Sequence, residues 1–235
     1  MKRTLKQQNR PQLVVFLLAN VSAIAAAQFG LDAVSTLFAE ILGGNYASIG
    51  KVIALPALAA LVLGIISWVL PAAIKETLVF WRVGPRRLPS STAFTVIAPG
   101  DLRIDMVRLT ARLGTLPAEP DKQNALWYAT YRKHGKEPAV MDANGAYLLY
   151  REMAALVPFI ACTAFGVALA VSIARSNLVV VGTVLLLEYV VLMFATRNAG
   201  TRLVGNVLAV EAAISGQKAE AAISKSRSSK RQKAE

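Results

Sequence analysis

Residues 52–74 read VIALPALAALVLGIISWVLPAAI, and Lys75 and Glu76 follow at once. A charge-free apolar run of this length matches the apolar core of a bilayer, which takes about 20 residues of helix, whereas a buried core helix of a soluble domain suits a run of about 10–14. Three further stretches pass the same test: Leu13 to Leu31, Met153 to Ala174, and Asn177 to Thr196, the last with a single charge at Glu188. The expected fold is therefore an all-α integral membrane protein, a four-transmembrane-helix bundle with a small helical insert between spans two and three.

The charges are distributed as unevenly as the apolar residues. Of 235 residues 55% are apolar, yet 26 Lys and Arg against 14 Asp and Glu leave a formal charge of +12. An ordinary soluble domain, a disordered chain and a disulfide-stapled module are all excluded, the last because Cys162 is the single cysteine. Only Lys51 and Arg175 fall in the two short loops; the other 24 basic residues precede the first span, lie between the second and third, or follow the fourth. Cytoplasmic loops collect Lys and Arg. Both termini and the long central segment are thus expected in the cytoplasm, with the chain in the cell (inner) membrane.

The resulting plan is a basic N-terminus over 1–11, a first span over 12–31, an amphipathic helix and outer loop over 32–51, and a second span over 52–75. A cytoplasmic helical insert occupies 76–151, a third span 152–174, and an outer turn with the fourth span 175–196. An amphipathic helix over 197–214 and a disordered basic tail over 215–235 complete it. The first span also imitates a secretory signal peptide, with a basic start, an apolar run and Ala25-Ala26-Ala27. Apolar spacing continues past the would-be cleavage site through Val34, Leu37, Phe38 and Ile41, which favours a retained helix.

Within the insert, Trp81 to Thr92 holds Gly84, Pro85 and Pro89 and reads as an irregular turn. Asp101 is placed to cap a helix over Leu102 to Leu113, with Gly114 as its stop. A second helix should run from Pro120-Asp121 to His134, and a third from near Pro138 straight into the third span. Trp81, Tyr147 and Tyr150 are expected at the membrane interface, and Pro71 and Pro158 should bend their spans.

Residues suited to catalysis or metal binding are few. His134 and Cys162, one of each kind, have no partner at ligand spacing, so no metal site and no cofactor are expected. Asp101, Asp105, Glu119 and Asp121 are better read as helix caps and surface ion pairs than as a catalytic pair, and no catalytic residue is assigned. Glu188, near the middle of the fourth span, asks for an explanation, because a charge there costs about 2.5–3.5 kcal/mol on insertion scales. Asn20 lies at a matching depth in the first span. A hydrogen bond between them and a pore or proton path are the two readings. Trp127, Tyr128, Tyr131 and Arg132, with Arg86 and Arg87, are candidates for an interaction surface. Lys225, Arg227, Lys230, Arg231 and Lys233 suit contact of the tail with anionic lipid.

Small residues at four-residue intervals (Ser22, Ala26, Gly30; Pro56, Ala60, Gly64; Cys162, Gly166, Ala170) suggest close helix approach or self-association. The expected partners are membrane lipid, further copies of the chain, and an unidentified cytoplasmic protein or small ligand; nucleic acid is disfavoured. These features describe a non-enzymatic membrane effector, signalling or anchor component whose insert engages a ligand or partner. Bacterial stress or phage defence enters as an analogy to compact multi-span effectors. A small channel or transporter using Glu188, or a scaffold recruiting a cytoplasmic protein, are the alternatives.

Overall fold

The structure is a computed structural model and describes residues 5–30, 36, 39, 43, 61–170 and 175–232. The expected amphipathic helix over 32–42, the outer loop, the first part of span two with Pro56 and Ala60, and the turn before span four lie outside the described residues or almost wholly so. The described residues form helices and no strands. After a short α1 (Leu5–Gln8) come α2 (Arg10–Phe29), α3 (Leu61–Val69) and α4 (Ala72–Phe80). Then follow α5 (Met106–Leu113), α6 (Pro120–His134), α7 (Pro138–Ala170) and α8 (Arg175–Gln232). Helices α2, α7 and α8 each hold a stretch long and apolar enough to cross a membrane, and α3 with α4 makes a fourth if that bent pair is one span. Their length and composition are those of a membrane protein.

Two compact units divide the chain. The first comprises Met1–Trp81 and Leu148–Thr196. Its core draws Leu17 from α2, Leu63 from α3, Leu156, Val157, Ile160 and Ala164 from α7, and Val181 and Leu185 from α8. Val79 of α4 packs with Ala154 and Met193 in a second cluster. On the outside, α2, α3 and α8 leave rows of apolar side chains uncovered, among them Val15, Leu18, Ile65, Val69, Val184 and Val191. Soluble monomers rarely expose apolar patches of that extent; acyl chains would cover them.

Proline accounts for the break in the second candidate span. Pro71 separates α3 from α4, and the two axes differ by 99°. The bend expected from Pro71 is therefore present, but it divides the span expected over 52–75 and carries α4 on to Phe80. Helix α7 continues through Pro158 without interruption, and begins at Pro138 as its sequence indicates.

The second unit comprises Arg82–Tyr147 and Arg197–Glu235. Short 3-10 turns at Gly84–Arg87 and Pro89–Thr92 and a π-turn at Ala93–Ile97 occupy the stretch read as irregular and its continuation. Helix α5 starts at Met106, four residues later than expected. Asp105 is its cap, with Oδ1 accepting from the amides of Val107 at 2.9 Å and Arg108 at 3.1 Å. Asp101 turns instead to Arg103, accepting from its backbone amide, its Nε and its Nη2. That local ring closes a turn through Leu102 and Arg103 and sends Ile104 into the interior. Gly114 ends α5 with φ 75°, a conformation that suits glycine.

The helix expected over 197–214 is the continuation of α8. Leu203, Val204, Val207 and Leu208 are buried within the second unit. Gly200 and Gly205 are the close approaches: a Cβ at Gly200 would meet Pro89 Cγ at 3.0 Å, and one at Gly205 would meet Asp101 Oδ2 at 2.8 Å. A Cβ at Gly64 or Gly166, by contrast, would meet nothing within 4 Å among the described residues, so no close helix approach is seen there among them. The tail expected to be disordered from residue 215 carries helical backbone to Gln232. Its Ala, Lys, Glu, Gln and Arg content is that of good helix formers.

Candidate functional site

The break at Pro71 has a polar consequence. In a regular helix the carbonyl of Ser67 would accept the amide hydrogen of residue 71, and proline has none. The Nζ of Lys75 takes that place, donating to the Ser67 carbonyl at 2.6 Å. The same ammonium pairs with Oε2 of Glu152 on α7, and the Ser67 hydroxyl donates to that oxygen at 2.9 Å. Arg151 completes the group: its Nη2 donates to Glu152 Oε1 at 3.1 Å, and its Nη1 stands 3.5 Å from Glu76 Oε1. Two cations and two carboxylates thus form a neutral quartet, and every member is buried.

Removing an ion from water costs several kcal/mol, offset only where charge and hydrogen bonding are both supplied. Here both are, and the site is built from the ends of two apolar runs. Lys75 and Arg151 were expected as loop charges. Counting basic residues to assign sidedness treats each as exposed. The overlooked signal is the pair of opposite-sign dipeptides, Lys75-Glu76 and Arg151-Glu152, at the ends of spans two and three.

A second ionic group lies within the second unit. Glu211 of α8, 1% exposed, pairs with His134 of α6 and accepts from Arg112 Nε of α5 at 2.9 Å. Lys133 Nζ lies 4.0 Å away. Burial pushes the Glu211 carboxyl upward, but hydrogen bonds from His134 and Arg112, and the charges of Arg112 and Lys133, outweigh it and hold the carboxyl below the ordinary glutamate range. His134 therefore does have an acidic partner, 77 residues away in sequence, a separation that local spacing does not reveal. Nearby, Arg103 Nη1 donates to Asn206 Oδ1 at 3.0 Å, and Asn206 Nδ2 donates to the Ala139 carbonyl at 2.8 Å. Among the described residues no three His, Cys, Asp or Glu side chains converge as metal ligands would.

Of the residues singled out in the sequence, Asn20 and Glu188 meet. Asn20 Nδ2 donates to Glu188 Oε1 at 3.1 Å and to the Phe16 carbonyl at 3.2 Å. The aromatic segment divides: Trp127 is buried, contrary to its expected place on a surface, while Tyr128 is 57% exposed. Tyr131 stacks on both, with ring centroids 5.5 and 6.1 Å away, and Asn144 donates to its hydroxyl. Burial, and then the neighbouring Tyr128, raise the Tyr131 pKa. Arg132 and Arg86 are exposed, and Arg87 is half-buried with Nη1 on the Gly84 carbonyl. Tyr147 is buried, whereas Trp81 is exposed and its indole donates to Tyr189. Lys225, Arg227, Lys230 and Arg231 lie on the helical backbone of α8, and Lys233 is outside the described residues. No protein-family model, no curated protein and no solved structure matches the chain.

Proposed function

We propose that the chain is a non-enzymatic, multi-pass protein of the cell membrane with both termini in the cytoplasm, a self-associating effector or signalling component whose second unit engages a cytoplasmic ligand or partner. One observation carries this reading. Helix α8 is continuous, with the apolar stretch Asn177–Thr196 in the first unit and the following turns in the second, where Asn206 and Glu211 are held by Arg103, Arg112 and His134. Binding that loosens or tightens this grip acts on the helix that also supplies a span. Several carboxylates that could serve acid–base work are engaged: Asp101 by Arg103, Asp105 by its cap and Arg108, Glu119 by Lys122, Glu152 by Lys75, and Glu211 as above. The bond from Asn20 to Glu188 favours a packing role over a conducting path.

Expression of the full chain with a membrane-potential dye tests this. Depolarisation that changes when Glu211→Gln weakens the grip is the expected outcome. An unchanged potential in both, with a partner captured by the intact protein, would replace the effector by a scaffold. A reporter inserted after Ala118 should be active only in the cytoplasm.

A further inference from the structure

The first unit contains a cavity of about 310 Å³ whose wall includes Gln7, Asn9, Arg10, Ser67, Trp68 and Glu152. Its charge is informative. Glu152 belongs to the neutral quartet with Lys75, Arg151 and Glu76, so that side of the wall carries no net charge. Arg10 has no carboxylate partner among the described residues; its guanidinium lies 5.0 Å from the centroid of the Trp68 ring. Stacking on an aromatic face leaves the N–H edge of a guanidinium open, and that planar fork matches phosphate oxygens two at a time. Gln7 and Asn9 add neutral amides to the same wall. Among the described residues that line the cavity, one positive charge is uncompensated, which fits a monoanion, and a phosphodiester is one.

Size and surroundings decide its source. The cavity lies at the lower end of the roughly 300–1,000 Å³ range of ligand sites, enough for a headgroup and too small for a whole lipid. Leu13 and Leu149 supply apolar lining, and α2 and α3 expose Val14, Leu18 and Val69, a surface for acyl chains. We infer that this cavity holds the phosphodiester headgroup of a membrane phospholipid, with Arg10 as its anion contact. The inference rests on the membrane assignment proposed above.

The test is native mass spectrometry of the full-length protein in mild detergent, titrated with phosphatidylglycerol, beside an arm containing inorganic phosphate. One lipid per chain should be retained, about tenfold more weakly by Arg10→Gln, the loss of a single charge-assisted contact. Arg10→Lys, which keeps the charge without the fork, should fall between them, and phosphate should not displace the lipid. Arg10 is exposed, so unchanged helicity by circular dichroism is expected for both variants. Equal retention by wild type and Arg10→Gln would overturn the site; displacement by phosphate at matched concentration would overturn the lipid as its occupant. Carbonate washing of membranes separates this from the parent reading: protein washed free defeats the membrane assignment, whereas protein that stays but retains lipid independently of Arg10 defeats only the headgroup site.

Discussion

Replacing Lys75 by methionine removes, in one step, the charge that faces Glu152 and the donor that satisfies the Ser67 carbonyl. Breaking a buried pair in this way costs about 3–5 kcal/mol, here because two buried carboxylates, Glu76 and Glu152, are left to share the single cation of Arg151. Lys75→Met should therefore lower the midpoint of thermal unfolding in detergent sharply, and Lys75→Met with Glu152→Met should recover much of the loss. A double variant no better than the single would show that the carbonyl, not the charge pair, dominates. Glu211 responds to pH in a defined direction. Its folded pKa is held below its unfolded value, so the stabilisation is fully present above the unfolded glutamate pKa and is lost as pH falls through the folded one. Acid denaturation should weaken on the low-pH side when Glu211 is replaced by Gln, while Asp105→Asn should leave that difference in place. Thermal melts between pH 3 and pH 7 measure both.

At the scale of elements, the Pro71 break combines a missing donor with a substitute for it. Pro71→Ala restores an amide that can close onto the Ser67 carbonyl, in competition with Lys75. The bend of 99° should then open, and spin labels at residues 61 and 74, both exposed, should move toward the roughly 20 Å of a straight helix. An unchanged distance would mean that the quartet, and not the proline, maintains the angle. Periodicity made the helices at Pro120–His134 and Pro138–Ala170 readable, since Pro at the first turn and a run of uniform character mark them. The start at Met106 was less readable, because Asp101 and Asp105 are equally good caps by residue type. Their hydrogen bonds distinguish them: Arg103 takes up Asp101, while Asp105 accepts from the amides of Val107 and Arg108.

For the whole molecule, the apolar runs announced the helices and their membrane character, because hydrophobic length is a local property of the chain. The two ionic groups were not announced, because they join residues 77 apart in sequence, Lys75 to Glu152 and His134 to Glu211. The pairing of Asn20 with Glu188 was accessible through depth alone, since both lie near the centre of their spans. The interaction surface was only partly accessible: within one helical segment, Trp127 goes to the interior, Tyr131 is half-buried, and Tyr128 and Arg132 face outward. The quartet also bears on how the protein is made. At about 5–20 residues per second of synthesis, Glu152 emerges roughly 4–15 s after Lys75. During that interval Lys75 and Glu76 have left the ribosome without their partners on α7. A nascent chain stalled between the two points would leave charges at the end of its second apolar segment uncompensated, giving cellular quality control a means of separating half-made copies from finished ones.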